Sequence, residues 1–274
     1  MKLVFLDIDG TIRNFNGTIP ESAKTAIRKA RENGHKVCIS SGRPLFQIAP
    51  VLPDMEFDGI ISGSGSYVTY EGECLRHKFI TQFTYLSLCE YLIKHNCVFE
   101  LMTHKGSYIL RQCAAEFEQI SKDIQHALGE NAKKLVSTPP SLITSPLDAF
   151  EIEKMLFFSD TLSLEDLKET WGTCFYIVPS SIPCGGKIAG EISPVVVNKA
   201  EGIRSILDVC GLEKDDVIAI GDSDNDIEML QFAGCGIAMG NGNDAVKAVA
   251  DYVTKPLNED GLYQAFAYAG LLKN

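Results

Sequence analysis

Two clusters of carboxylates follow two apolar segments of the sequence. In the run KLVFLDIDGT, Asp7 and Asp9 come directly after the apolar residues, and Gly10 allows the chain to turn away tightly. In DVIAIGDSDND, Asp222 follows another apolar run. Carboxylates this close repel one another unless a cation lies between them or one is protonated, and oxygen ligands suit Mg²⁺. The pattern favours a hard-metal site with a nucleophile or an acid beside it.

Each acidic cluster also has a simpler structural interpretation. Asp9 and Gly10 could serve only a turn, and aspartates at the start of a helix stabilise its N-terminus. One aspartate suffices for a helix start, whereas the segment 222–226 holds four acidic or amide residues. If the two strands are neighbours, Asp7, Asp9 and Asp222 converge on one point with ligands suited to Mg²⁺.

Two further segments could hold an anion. KVCISSGRP places Ser41, Gly42 and Arg43 after a third apolar run, where a hydroxyl and backbone N–H groups can bind a phosphoryl group, although Ser-Gly is also an ordinary turn. SPVVVNKAEGI places Lys199 at the start of a helix. A lysine there is mildly unfavourable for the helix, so it either holds an anion or is a solvated surface residue.

The elements that must position these residues alternate between strand and helix. The first 80 residues read β-α-β-α-β, with the first helix in ESAKTAIRKAREN and the second beginning at Pro44. The last 75 read helix Lys199–Cys210, then DVIAI, DIEMLQFAG, CGIAM, NDAVKAVA, DYVT and a helix near Leu262–Tyr268. Continuous apolar strands are typical of a parallel sheet covered on both faces. The pattern predicts an α/β fold with a doubly wound, Rossmann-like parallel sheet.

The middle of the chain has a different texture. Two strand-like runs, VFELM and SYILR, are joined by a tight turn, and helices and a turn-rich segment around Pro139 surround them. We therefore expect a catalytic core of residues 1–82 and 187–274, interrupted by an inserted α+β cap of residues 83–186.

Taken together, these segments resemble the haloacid dehalogenase superfamily. DIDGT, the serine of SSGR, the lysine of VNKAEGI and GDSDND match its four motifs in order, and GIAMGNGNDAVKAVADYVT and NEDGL are similar to the Cof-type hydrolases. That subgroup carries a large α/β cap between the second and third motifs. Ser64 and Ala200 stand where the subgroup often has asparagine and glycine, and Ser41 stands where it often has threonine.

The resemblance implies a role for each matching residue. Asp7 would attack phosphorus, Asp9 would protonate the leaving alkoxide and then activate water, and the Asp7 and Asp222 carboxylates with the Asp9 carbonyl would hold Mg²⁺. The expected phosphate-side and supporting residues are Gly10, Ser41, Gly42, Lys199 and Asn225, with Asp226 and Arg43 behind them.

Composition narrows the class of partner. The net charge of −11 and the acidic pI of about 5.0 argue against a nucleic-acid or anionic-membrane footprint. The N-terminus lacks a signal-peptide-like apolar region, which predicts a cytoplasmic protein. Nine cysteines without a CxxC pair indicate reduced thiols.

We therefore expect a Mg²⁺-dependent phosphatase acting on a small phosphate ester through an aspartyl-phosphate. A phosphosugar mutase and a non-catalytic phosphate-sensing protein are the alternatives. The sequence leaves open the oligomeric state and the ester, whether a hexose, vitamin or flavin-related phosphate. Candidate cap residues are His104, Lys105, Tyr108 and Arg111.

Overall fold

The chain folds into two compact units. A computed structural model describes residues 1–129, 138–180, 184, 186–195 and 197–272. The first unit comprises Met1–Arg43, Leu52–His77 and Asn198–Asn274, and the second comprises Pro44–Val51 and Lys78–Val197. In sequence, the second unit therefore interrupts the first.

An eight-stranded sheet forms the centre of the first unit. Its strands are β1 (Leu3–Leu6), β2 (Lys36–Ser40), β3 (Gly59–Ser62), β4 (Tyr67–Tyr70), β5 (Glu73–His77), β12 (Val217–Gly221), β13 (Cys235–Ala238) and β14 (Tyr252–Val253). Their order is β14-β13-β12-β1-β2-β3-β4-β5, parallel from β14 to β3 and antiparallel thereafter. The expected doubly wound α/β sheet is confirmed.

Helices cover this sheet because its central strands are apolar along both faces. Every residue of β1 and β12 is buried. The helices of this unit are α1 (Glu21–Glu32), α5 (Lys199–Cys210), α6 (Ile227–Phe232), α7 (Asp244–Val249) and α8 (Gly261–Tyr268). Buried side chains of α5 and α6 pack with β1, β2 and β12, while α1 packs against α8. The periodic alanines of α1 form its buried face, as the sequence predicts.

The second unit is built on a six-stranded sheet. Its strands are β6 (Val98–Met102), β7 (Ser107–Leu110), β8 (Ser141–Ile143), β9 (Lys154–Ser159), β10 (Phe175–Pro179) and β11 (Ile188–Pro194), in the order β10-β11-β9-β6-β7-β8. Its helices are α2 (Gln82–Lys94), α3 (Ala114–Leu128) and α4 (Leu164–Trp171). All pairs are antiparallel except β7–β8.

The structure differs from the sequence-based expectation in three segments. The helix expected from Pro44 is two 3₁₀ turns, Leu45–Gln47 and Ala49–Val51, because Pro50 lacks an N–H and cannot continue an α-helix. The hairpin of β4 and β5 extends the first sheet and was not predicted. Because β11 pairs with β9 and β10, the second unit continues to Val197 rather than ending at residue 186.

Within the described ranges, no helix is long and apolar enough to cross a membrane.

Candidate active site

Three neighbouring strands of the first unit deliver the predicted site residues to one edge of the sheet. Leu6 at the end of β1 lies opposite Ile220 of β12 and Ile39 of β2. Asp7 follows β1, Asp222 follows β12 and Ser41 follows β2. Since parallel strands end at the same edge, these residues share the position where ligands bind in open α/β sheets.

The core of the site is a buried lysine between two carboxylates. Lys199 is 0% exposed, and its Nζ donates to Asp7 Oδ1 at 2.6 Å and to Asp226 Oδ1 at 2.5 Å. The lysine starts α5, whose N-cap Asn198 accepts a hydrogen bond from the Glu201 N–H. A buried ammonium is stable only when charged partners surround it, so these contacts fit a functional interior lysine better than a solvated surface residue.

Close packing allows α5 to carry its lysine to this depth. A Cβ on Gly202 would lie 2.5 Å from Ile61 Cγ2, so only glycine permits the observed distance between α5 and β3. The Ala200 beside the lysine is buried. The buried position of Lys199 therefore depends on the close contact between Gly202, about one helical turn later, and Ile61.

A third carboxylate, Asp222, completes an acidic cluster. Oxygen atoms of Asp7, Asp222 and Asp226 lie within 4.8 Å of one another. Asp222 Oδ1 accepts from Thr11 Oγ1 at 2.9 Å. Asp226 Oδ2 accepts from the Asp222 N–H at 2.9 Å, so Asp226 braces both the lysine and the segment after β12. Asp226 is thereby committed to protein donors, and Asp7 and Asp222 are the members suited to a cation.

Burial perturbs the protonation equilibria of these groups. Burial raises the pKa of Asp7 well above its ordinary value, and Lys199 opposes that rise. Burial, and then the Asp226 carboxylate, raise the pKa of Asp222 to about 7. Burial alone would lower the pKa of Lys199, but Asp226 and Asp7 raise it, so the ammonium stays charged. Asp7 and Asp222 therefore tend to keep their protons unless a positive charge stabilises their ionised forms, which favours binding of a cation beside them.

Gly10 is required by its neighbour Asp222. Its φ is +95°, and a Cβ there would lie 2.2 Å from Asp222 Oδ2. The Gly10 N–H already donates to the Arg13 carbonyl at 2.7 Å, and the Gly10 carbonyl accepts from Asn241 Nδ2. In this conformation the missing side chain of Gly10 leaves room for the Asp222 carboxylate. Gly10 was expected on the phosphate side, but its N–H could donate to a phosphate only in competition with its hydrogen bond to the Arg13 carbonyl.

Asp9 lies beside this cluster, held by two arginines. Arg43 donates two hydrogen bonds to the Asp9 carboxylate, from Nε to Oδ2 at 2.5 Å and from Nη2 to Oδ1 at 3.0 Å. Arg13 Nη1 donates to Oδ1 at 3.1 Å. Burial lowers the pKa of Arg13, and Asp9 opposes that shift. The sequence predicted that Arg43 lies behind the other site residues, and in the structure it contacts Asp9 directly.

The remaining predicted residues lie on a loop after β2 and beside it. Ser41 is buried, and its Oγ accepts from the Arg43 N–H at 3.2 Å. A Cβ on Gly42 would lie 3.3 Å from Asn225 Nδ2 and 3.4 Å from Ser64 Oγ. The structure therefore brings Ser64 to the loop that carries the predicted phosphate-side residues.

Sequence reasoning missed three residues that support the site. They are Thr11 on Asp222, Arg13 on Asp9 and Asn241 on Gly10. Thr11 belongs to the DIDGT motif and Asn241 to the GNGN segment, both of which the sequence singled out. No comparable pattern marks Arg13, which lies four residues after Asp9 in a turn.

The match to known proteins covers almost the whole chain. Residues 4–266 match the family of haloacid dehalogenase-like hydrolases. The Bacillus subtilis (strain 168) 5-amino-6-(5-phospho-D-ribitylamino)uracil phosphatase YitU is 28% identical, over 95% of this chain and 94% of its own.

Two solved structures extend the likeness to the fold. A hypothetical protein from Geobacillus kaustophilus HTA426 has a TM-score of 0.82 at 30% identity, covering 98% of this chain and 99% of its own. The subclass IIB sugar phosphatase BT4131 has a TM-score of 0.80 at 26% identity, covering 99% and 100%. These relatives support the expected enzyme class, a phosphoric monoester hydrolase. The resemblance inferred from the four motifs is confirmed, and the chain belongs to the family of haloacid dehalogenase-like hydrolases.

Proposed function

We propose that the chain is a Mg²⁺-dependent phosphatase that hydrolyses a small phosphate monoester through an aspartyl-phosphate on Asp7. The observation that carries the proposal is the buried Asp7 carboxylate, whose Oδ1 accepts from the Lys199 ammonium at 2.6 Å, next to Asp222 at the ends of β1 and β12. A carboxylate fixed in this way is oriented for in-line attack, and the lysine supplies positive charge where phosphoryl oxygens would lie.

The donor set fits a divalent cation. Asp7 and Asp222 offer carboxylate oxygens, the ligand type that Mg²⁺ prefers, and the resemblance adds the Asp9 carbonyl. When bound, Mg²⁺ would neutralise negative charge that develops on the phosphoryl group. The pKa of Asp222 is raised to about 7, so a cation bound beside it would stabilise its ionised form.

In the first half of the reaction, Asp7 displaces the alcohol. With Oδ1 held by Lys199, Oδ2 is the oxygen assigned to attack phosphorus. The bond from phosphorus to Oδ2 forms as the ester P–O bond breaks, and Asp9 gives its proton to the departing alkoxide. Ser41 and Lys199 are assigned to the phosphoryl oxygens.

In the second half, water releases the phosphate. Asp9, now ionised, takes a proton from water as its oxygen attacks phosphorus, and the bond to Asp7 breaks to free inorganic phosphate. Splitting the displacement in two lets one carboxyl act first as acid and then as base. Asp226 keeps Lys199 in place throughout, since its other oxygen is fixed by backbone N–H groups.

The proposed substrate class comes from the relatives, because the core residues are assigned only to the phosphoryl group and the atoms that react with it. The likeness to a sugar phosphatase and to a ribitylaminouracil phosphatase supports a sugar phosphate or a similar polyhydroxylated monoester. We assign selection of the ester to the second unit, as the inserted cap, with His104, Lys105, Tyr108 and Arg111 as candidates. Partners other than this small ester are not implied.

The test is release of inorganic phosphate from sugar, nucleotide and vitamin phosphates, with Mg²⁺ and with chelator. We expect Mg²⁺-dependent release that Asp7→Asn abolishes without unfolding the protein, and that Asp208→Asn, an exposed change on α5, leaves intact. Conversion of a hexose phosphate without phosphate release would instead indicate a mutase. Full activity of Asp7→Asn would exclude Asp7 as the nucleophile, and absence of turnover on every ester would favour a sensing role.

A further inference from the structure

The Asp9 side chain accepts more hydrogen bonds than one bidentate arginine supplies. Arg43 contacts both of its oxygens, and Arg13 adds a third hydrogen bond to Oδ1. A bidentate arginine already fixes the plane of a carboxylate. The second arginine therefore calls for a separate explanation.

Arg13 is built into the same turn as the acid that it contacts. Its N–H donates to the Ile8 carbonyl at 2.8 Å, and its carbonyl accepts from the Gly10 N–H at 2.7 Å. Its side chain is 6% exposed, compared with 25% for Asp9. Because backbone hydrogen bonds close this turn, Arg13 is fixed relative to Asp9, whereas Arg43 belongs to the loop after β2.

The two oxygens of Asp9 are held differently. Oδ1 accepts from both arginines, while the contact to Oδ2 comes from Arg43 Nε. While Arg43 Nε donates to Oδ2, it occupies one of the two acceptor positions of that oxygen, which leaves less room for a leaving-group oxygen or a water molecule. If that bond opens, Arg13 still holds Oδ1, and both acceptor positions of Oδ2 are free with the carboxylate still oriented.

We propose that Arg13 is a positioning residue that anchors Asp9 through Oδ1, so that Oδ2 serves as the working oxygen once Arg43 Nε has moved away. The inference rests on the proposed function, because it assigns a task only to an Asp9 that exchanges protons with the leaving group and water. It predicts that Arg13 governs the protonation of poor leaving groups rather than binding of the phosphoryl group.

The dependence of kcat/KM on the leaving group tests this inference. Phenyl phosphate needs a proton on its departing oxygen more than p-nitrophenyl phosphate does, so a displaced acid slows the first more than the second. Because a placed general acid contributes about 10²–10⁴-fold, we expect Arg13→Met to lower kcat/KM about 10–100-fold for phenyl phosphate. For p-nitrophenyl phosphate we expect at most about a threefold loss.

Three companion variants separate positioning from general damage. Arg13→Lys restores a cation and should recover most of the activity on phenyl phosphate. In an Asp9→Asn background, Arg13→Met should have no further effect, because both changes remove the same contribution. Arg31→Met removes a peripheral ion pair with Asp58 and should leave the leaving-group dependence unchanged.

A wild-type crystal structure with vanadate gives a test that does not depend on a folded variant. The proposal expects Arg13 Nη1 on Asp9 Oδ1 and Arg43 Nε away from Oδ2. Loss of the Arg13 contact in that complex, or equal losses on both aryl phosphates in Arg13→Met, would overturn it. A wild-type enzyme that releases no phosphate from these two esters or from any ester of the sugar, nucleotide and vitamin panel would refute the proposed function itself, whereas an active one with an unchanged Arg13→Met profile refutes only the role of Arg13.

Discussion

Gly10 offers the sharpest test of the acidic cluster, because its missing side chain leaves space for Asp222. In Gly10→Ala, the new Cβ would lie 2.2 Å from Asp222 Oδ2, and ordinary contact begins near 3.4 Å, so the carboxylate must move by about 1.2 Å. Mg²⁺ demands near-ideal geometry at about 2.0–2.1 Å, and a shift of that size breaks one ligand bond. The backbone adds a cost of about 1–2 kcal/mol for alanine at positive φ, and the collision adds about 1–3 kcal/mol.

Gly34→Ala is the matched control, since Gly34 has a φ of +82° and no atom within 4 Å of its would-be Cβ. Urea unfolding should show the conformational cost in both variants and the collision only in Gly10→Ala. Calorimetric titration with Mg²⁺ should show at least a tenfold weaker affinity in Gly10→Ala, of the order seen when metal-site support is lost, and an unchanged affinity in Gly34→Ala. Wild-type Mg²⁺ affinity in Gly10→Ala would refute the assignment of Asp222 as a ligand.

Three further predictions concern buried charge. Lys199→Met leaves two buried carboxylates uncompensated and should reduce the free energy of unfolding by about 3–5 kcal/mol, with partial recovery when Mg²⁺ is added. The control Lys24→Met removes an exposed lysine and should change the free energy of unfolding by less than about 1 kcal/mol. Asp222→Ala should sharply raise the Mg²⁺ concentration that gives half-maximal activity. An unchanged Mg²⁺ concentration would argue against Asp222 as a ligand. Burial and Glu151 raise the pKa of Glu153 from 4.5 to about 8, so the folded state keeps a proton that the unfolded state releases, and stability falls across that pH range. Glu153→Gln should flatten the fall in urea unfolding between about pH 5 and pH 8.

Local elements were the most predictable part of the fold. The helix expected at Lys199–Cys210 begins and ends at those residues, because an Asn cap precedes it and Gly211 ends it at positive φ. The hairpin of β4 and β5 escaped notice because its strands are short and its second strand is half-exposed. Apolar content is the main signal of a strand, so a half-solvated hairpin at the sheet edge gives little of it.

Long-range contacts in the site could be anticipated only through the family. Asp7 and Lys199 are 192 residues apart, and their contact depends on strand order, which periodicity does not report. The motif match supplied that order in advance. It placed Asp226 only behind the phosphate-side residues, and the structure specifies that place as a hydrogen bond from Lys199 to Asp226.

Arg13 marks the limit of both approaches for a physical reason. Residues four apart face one another on a helix, but segment 8–13 is a turn, and its backbone hydrogen bonds bring the guanidinium back to Asp9. Periodicity has no rule for such a turn, and a motif match carries over only the residues that the motif contains. A contact such as Arg13 on Asp9 therefore lies where neither method applies, which makes the comparison of Arg13→Met with Arg13→Lys a test of an interaction that only the structure reveals.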